Sequence, residues 1–225
     1  MPARLRPTAP VAADAILVGD PGRALMLAQE LLDQPKMSNH ARGLWGYGGL
    51  TAGGRELTIQ ATGMGGPSAS VVLADLAELG VRRAIRIGTG ASLGGLGPGE
   101  LLVVEQAQSF RGSFVDPDTP EEPRDPVRAD RVLTARLRGE LAEARAGTAV
   151  SLDALHDPER QPPPLAAEVA DMQTAALLAA GPRLGVDVAA VLIVSGRGEG
   201  GQLRDEDLEE AAKRVGAAAV AVFST

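Results

Sequence analysis

The chain has 225 residues, which is enough for one α/β domain with a full core and too few to require two. It contains no cysteine, so disulfides, thiolate metal sites and a cysteine nucleophile are excluded, and its net charge of −7 argues against general nucleic-acid binding. No segment has the layout of a signal peptide, and no apolar run reaches the roughly 18 residues that span a bilayer, so we expect a cytoplasmic protein without a membrane partner.

Strands and helices alternate through the first half of the sequence. Pro67 fits the first turn of a helix, where its missing N–H costs nothing. The predicted elements, in chain order, are a strand over 15–18, a helix over 23–32, a hairpin over 44–50 and 56–62, a helix over 67–79, and strands over 82–87 and 100–106.

The second half continues this alternation around two irregular stretches. Residues 110–127 are rich in Pro, Asp and Glu and indicate a surface excursion, and three prolines at 162–164 break the chain. The remaining predicted elements are a helix over 130–144, a strand over 148–152, a helix over 172–180, an apolar strand over 188–195, a flexible segment over 196–201, and a closing helix over 205–220. This order predicts an α/β domain that binds ligands at the carboxyl ends of its strands.

Four short glycine-bounded stretches occur within the first ninety residues, and three of them place an arginine. They read GDPGR at 19–23, ARGLWGY at 41–47, GMGGPS at 63–68 and RIGTG at 86–90. Glycine lets the backbone approach a ligand closely, and arginine offers a planar fork of donors that suits phosphate. These stretches indicate a small anionic site, although surface or interface ion pairing is the plainer role for any single arginine.

In this order and spacing the four stretches resemble the nucleoside phosphorylases, a family that includes bacterial purine nucleoside phosphorylases and uridine phosphorylases. The resemblance is close over residues 17–104 and weaker to the C-terminus. It implies a single nucleoside phosphorylase-like domain over residues 1–225, with a three-layer α/β/α fold and a central mixed sheet. It also implies a homo-oligomer, usually a hexamer built as a trimer of dimers, that cleaves a nucleoside with phosphate into free base and (deoxy)ribose 1-phosphate.

The resemblance implies a complete set of phosphate ligands. In such enzymes a glycine, three arginines and a Ser/Thr hold the phosphate, one of the arginines coming from the neighbouring subunit. The corresponding positions in this sequence are Gly19, Arg23, Arg42 (the residue from the neighbour), Arg86 and Thr89. Inorganic phosphate is then a co-substrate, and no organic cofactor is expected.

The nucleoside half departs from the family pattern. The aspartate that assists the departing base corresponds to Gly196, and Arg197 is the nearest side chain that could stabilise an anionic base. The Met-Glu pair that holds the ribose reads Met172-Gln173, and the aromatic residue that stacks on the base corresponds to Leu155. The N-terminal histidine that reaches the neighbour's ribose is not found near residues 4–6, and Met64 is expected to lie against the ribose.

Two other functions remain open at this stage. One is a binding protein that keeps the anion pocket without efficient turnover, which the altered residues favour. The other is a hydrolytic nucleosidase, which a cluster of phosphate-binding arginines disfavours. The two histidines, His40 and His156, have no carboxylate or histidine neighbours at the spacing of metal ligands, so no metal site is expected.

Overall fold

In a computed structural model, the chain forms a mixed β-sheet between two layers of helices. The structure describes residues 4–109, 125–153, 167–197 and 200–225. The strands of the described part are β1 Asp14–Val18, β2 Asp33–Asn39, β3 Gly46–Leu50, β4 Glu56–Ala61, β5 Arg83–Ser92, β6 Leu101–Ser109, β7 Val127–Arg128, β8 Arg145–Ser151, β9 Val169–Asp171, β10 Asp187–Arg197 and β11 Gly200–Gln202. The helices there are α1 Pro21–Leu31, α2 Gly65–Glu78, α3 Arg131–Glu140, α4 Thr174–Leu184 and α5 Asp205–Ser224.

The strand order combines an open sheet with a closed ring. β1 pairs in parallel with β4 on one side and β5 on the other, and β3 and β2 extend the sheet beyond β4. β5 also pairs in parallel with β10. Because β10 pairs with β6, β6 with β8, β8 with β9 and β9 with β5, these strands close on themselves. The carboxyl ends of β1, β4 and β5 therefore meet at one rim beside a barrel-like half.

Alternating side chains of the central strands supply the cores on the two faces of the sheet. Ile16 and Val18 of β1 pack with α1, α3 and α5, whereas Ala15 and Leu17 pack with α2 and α4. Successive strand residues point to opposite faces, so a strand covered on both sides is apolar throughout. The predicted three-layer α/β/α class with a central mixed sheet is confirmed.

The predicted elements are present, and the differences lie in short or polar strands and at element ends. β2, β7 and β9 were not predicted. The sequence of β2, DQPKMSN, is polar and largely exposed, as expected of an edge strand that pairs with β3. α3 ends at Glu140, before the predicted limit of 144, and α4 begins at Thr174, so Met172 and Gln173 precede it. The segment predicted to be flexible, 196–201, holds the end of β10 and the start of β11, and these two strands pair with each other.

The local sequence explains how α1 begins directly after β1. Asp20 is its N-cap and accepts a hydrogen bond of 2.8 Å from the backbone N–H of Arg23, and Pro21 occupies the first turn. In the part of the chain that the structure describes, no helix combines the length and the apolar character needed to cross a membrane.

Candidate active site

The glycine turns of the first half converge at the rim formed by β1, β4 and β5. Gly19 follows β1, and Gly63 follows β4, which is its parallel neighbour. A methyl group added to Gly19 would lie 3.4 Å from the carbonyl oxygen of Gly63 and 3.9 Å from Oε1 of Gln173. The two turns and the segment before α4 therefore enclose one small space.

Arg86, on β5, is fixed in this space by three side chains. Its Nε donates to Thr174 Oγ1 at 3.1 Å, its Nη1 to Gln173 Oε1 at 2.6 Å, and its Nη2 to Asp171 Oδ2 at 3.0 Å. We refer to Asp171, Gln173 and Thr174 as the Arg86 clamp. Only 4% of Arg86 is exposed, so its charge depends on Asp171, whose side chain is fully buried.

Asp171 is itself held from several sides. Its carboxylate accepts from Ser151 Oγ at 2.5 Å and from Thr174 Oγ1 at 2.6 Å, and both of its oxygens lie near the backbone N–H of Thr174. A carboxylate with this many donors is held in one orientation. Asp171 therefore neutralises Arg86 and also binds the first turn of α4.

The glycine of the RIGTG stretch that follows Arg86 provides room for its side chain. A methyl group at Gly88 would lie 2.7 Å from Arg86 Nη2 and 2.6 Å from the Leu192 side chain. Either distance is too short for a real contact, so any larger residue at position 88 would displace the guanidinium. The motif needs glycine here because the arginine folds back over its own strand.

Arg23, in the first turn of α1, is close enough to Arg86 for the two charges to interact. Its pKa is lowered chiefly by burial, a shift that Asp20 opposes and the charge of Arg86 reinforces. Arginine stays protonated in proteins, so the lowered pKa reflects a cation that is partly removed from water and lies near a second cation. A bound dianion would supply the opposite charge.

A cavity of about 410 Å³ lies on the outer side of Arg23, between the first turns of α1 and α5. Asp20, Asp205 and Glu209 contribute carboxylates to its lining. This negative charge makes the cavity unfavourable for phosphate.

Arg42 and Thr89 lie near the same rim. Arg42 is exposed in a 3₁₀ turn at Ala41–Gly43, with a φ of 59° that only a few per cent of non-glycine residues adopt. Thr89 is partly exposed on β5, opposite Ile193 of β10. Their assignment to the phosphate site remains a prediction.

The residues predicted to contact the nucleoside lie in different surroundings. Met64 precedes α2 and is 85% exposed, whereas Met172 is partly buried before α4. Gly196 lies near the end of β10, opposite Ala91 of β5 and Gln202 of β11. Gln173 is almost fully buried within the Arg86 clamp. Leu155 and the side chain of Arg197 lie outside the part of the chain that the structure describes.

The sequence prediction assigned no role to Asp171, Thr174 or Ser151. The available signal was an acid three residues before a threonine at the start of a helix, which is a capping pattern. That pattern indicates a helix N-terminus but gives no reason to expect a partner 85 residues away. Within the described residues, no group of three or more His, Asp or Glu side chains could hold a metal ion.

Comparisons with known proteins agree with this fold. Residues 14–225 match the family model described as the phosphorylase superfamily. A DeoD-type purine nucleoside phosphorylase of Streptococcus suis is 31% identical over 194 residues, which are 81% of this chain and 81% of that protein. Another, from Oceanobacillus iheyensis, is 44% identical over 79 residues, 34% of this chain and 33% of that protein.

Solved structures show the same fold. A purine nucleoside phosphorylase of Toxoplasma gondii, in complex with immucillin-H, has a TM-score of 0.79 at 22% identity and covers 96% of this chain and 93% of its own. A uridine phosphorylase of Vibrio fischeri has a TM-score of 0.78 at 22% identity, with 95% and 92% covered. The chain belongs to the phosphorylase superfamily, and the predicted resemblance to its nucleoside phosphorylases is confirmed.

Proposed function

We propose that this protein catalyses the phosphorolysis of a nucleoside to a free base and (deoxy)ribose 1-phosphate. The observation that carries the proposal is the fixed Arg86, held by its clamp beside Arg23 at the rim where Gly19 and Gly63 meet. A guanidinium has five N–H groups, and the clamp uses one on each of its three nitrogens. One N–H on Nη1 and one on Nη2 remain to bind two oxygens of a phosphate.

The reaction needs this phosphate at the anomeric carbon of the sugar. A phosphate oxygen forms the new C–O bond as the C–N bond to the base breaks, and the electron pair of that bond leaves with the base. Positive charge develops on the sugar in between, and the phosphate dianion stabilises it. Binding the dianion in position lowers the barrier through proximity and through electrostatics that need no rearrangement.

The departing base must receive a proton or hydrogen bonds to its developing negative charge. Gly196 has no side chain to give them, and we propose that Arg197 stabilises the base instead. We further propose that Met64, Leu155 and Met172 line the nucleoside side of the pocket, and that Thr89 donates its hydroxyl to the phosphate. The bound base class, purine or pyrimidine, follows from the substrate assay below.

We also propose that a neighbouring subunit completes the site with its Arg42, in a homo-oligomer such as a hexamer. The exposed turn that carries Arg42 supports this proposal. The left-handed conformation costs free energy for a residue with a side chain, and residues under such strain cluster at functional sites. A role in the salvage of purine nucleosides or uridine in the cytoplasm is part of the same proposal.

The test is base release from inosine, guanosine, adenosine, uridine and thymidine, each with and without phosphate. We expect release that depends on phosphate. Release without phosphate would indicate a hydrolytic nucleosidase. Phosphate binding without any release would indicate a binding protein.

Arg23→Met tests the assigned phosphate site directly. We expect kcat/KM for phosphate to fall by about 100-fold, because a charged partner of the dianion is lost. Arg183→Met is the matched control, since Arg183 is an exposed arginine in the last turn of α4. Equal behaviour of the two variants would contradict the site assignment.

A further inference from the structure

The buried side chain of Gln173 makes hydrogen bonds on both of its polar atoms. Its Oε1 accepts from Arg86 Nη1 at 2.6 Å and lies 3.0 Å from Thr62 Oγ1. Its Nε2 donates to the carbonyl oxygen of Gly63 at 2.6 Å and lies 3.4 Å from that of Gly65. Only 3% of the residue is exposed, and both polar atoms of its side chain are already engaged within the protein.

The neighbours of Gln173 fix which way its amide points. Arg86 can only donate a hydrogen bond, and the carbonyl oxygens of Gly63 and Gly65 can only accept one. The amide oxygen must therefore face Arg86 and the amide nitrogen must face the turn. A carboxylate at this position would place an oxygen 2.6 Å from the Gly63 carbonyl oxygen with no hydrogen between them.

The neutral charge of Gln173 also matters for an anion. Asp171 already pairs with Arg86, and Asp20 lies close enough to Arg23 to interact with its charge. A second carboxylate in the Arg86 clamp would add negative charge beside both arginines and repel a dianion. The amide holds Arg86 in place without adding that charge.

From these contacts we infer that Gln173 is a positioning residue that fixes Arg86 and the Gly63–Gly65 turn for phosphate, and that it does not bind a sugar hydroxyl. The preference of this protein for ribose or deoxyribose nucleosides therefore does not depend on Gln173. This inference rests on the proposed phosphorolysis, and it revises the expectation that Gln173 contacts the nucleoside.

The experiment compares the wild type with Gln173→Met, which keeps the length of the side chain and removes its hydrogen bonds. Steady-state kinetics give kcat and KM for phosphate, and kcat/KM for inosine, 2′-deoxyinosine and 3′-deoxyinosine. We expect KM for phosphate to rise about tenfold, because a hydrogen bond to a charged group is lost. The ratios of kcat/KM between inosine and each deoxynucleoside should stay within about twofold of the wild type.

A change of fivefold or more in either ratio, with KM for phosphate unchanged, would overturn the inference and make Gln173 a sugar ligand. Asp14→Asn is the control for effects that come from lower stability alone. Asp14 lies at the start of β1, at the end of the strand opposite the candidate site. If Gln173→Met does not fold, Thr62→Val is the second variant, because it removes the hydroxyl beside Oε1 of Gln173. It should give a smaller rise in KM for phosphate, with the kcat/KM ratios again unchanged.

Thermal unfolding with and without phosphate separates this inference from the proposed function. The wild type should be stabilised by phosphate, and Gln173→Met should lose most of that shift, whether or not any nucleoside is cleaved. Absence of base release together with this pattern would reject the phosphorylase proposal and keep the role of Gln173. Absence of any phosphate effect in the wild type would overturn both.

Discussion

At the scale of single residues, Gly196 occupies the position where the resemblance implies an acid that assists the departing base. Its backbone is not in the left-handed region, and a methyl group there would lie 3.5 Å from the nearest atom, the Gly201 carbonyl oxygen. That distance is ordinary van der Waals contact, so position 196 can accept a larger side chain without strain.

Gly196→Asp is therefore expected to fold normally and to add a general acid for a departing purine. We expect kcat/KM for inosine to rise at least tenfold, since general acid catalysis commonly contributes about 100-fold or more. The rise should be small for 7-methylinosine, whose base already carries a positive charge and leaves without a proton. Stopped assays with inosine and with 7-methylinosine measure the change in kcat/KM. An equal gain on the two nucleosides would show that the introduced carboxyl group acts by some means other than protonation.

The backbone conformation of Arg42 has a free-energy cost. Its φ of 59° is followed by a φ of 70° at Gly43, so two successive residues are left-handed. Glycine adopts this conformation freely, whereas a residue with a side chain pays about 1 kcal/mol or more. The turn directs Arg42 away from its own subunit's core, where a second copy could use it.

At the scale of elements, one ion cluster joins the amino ends of the central strands to the last helix. Arg83 of β5 donates to both oxygens of Asp14 of β1 at 2.7 Å and to the Phe223 carbonyl at 2.9 Å. Arg55 adds an ion pair to Asp14 at 3.2 Å. The pKa of Arg83 is raised, mainly by its hydrogen bond to Asp14. This cluster stands at the end of the sheet opposite the candidate site.

Asp14→Asn should lower the free energy of unfolding by about 2 kcal/mol, because Arg83 loses the negative charge that it is bound to. The figure lies below that for a fully buried pair, since a quarter of the Arg83 side chain is exposed to solvent. Urea unfolding measures this loss of stability, and KM for phosphate should not change. A change in KM for phosphate without a change in stability would contradict the conclusion that the Asp14 cluster is separate from the candidate site.

At the scale of the whole molecule, the site lies where the open sheet meets the closed ring of strands. β5 belongs to both, since along one edge it pairs first with β1 and then with β9, and along the other edge it pairs with β10. This double pairing makes the strand that carries Arg86 a rigid support. Arg42 and Met64, which the resemblance assigns to the site, are both exposed in the single chain.

Mixing two inactive variants tests whether subunits share sites. Arg42→Ala and Arg23→Met should each have low activity alone. When they are unfolded together and refolded, a site with intact Arg23 can receive intact Arg42 from its neighbour, so part of the activity should return. Arg42→Ala refolded with itself is the control. No recovery in a confirmed mixed oligomer would place Arg42 in its own subunit's site, or outside any site.

The sequence alone determined the main alternation of strands and helices and the positions of the glycine turns. These depend on local physics: continuous apolar runs mark β1 and β10, Asp20 and Pro21 begin a helix, and glycines allow the close turns at residues 19 and 63. The same local signals failed for β2 and β11, because a strand with one partner at the edge of a sheet has little apolar pattern of its own.

Only the tertiary structure decided how Arg86 is held. Asp171 and Gln173 reach it from 85 and 87 residues further along the chain, after β9 joins β5 to β8. From the sequence, Gln173 was expected to be a weakened ligand of the sugar. In the folded chain its amide faces an arginine on one side and two carbonyl oxygens on the other. A side chain's partners depend on distant segments that the fold brings together, and local sequence pattern does not encode them.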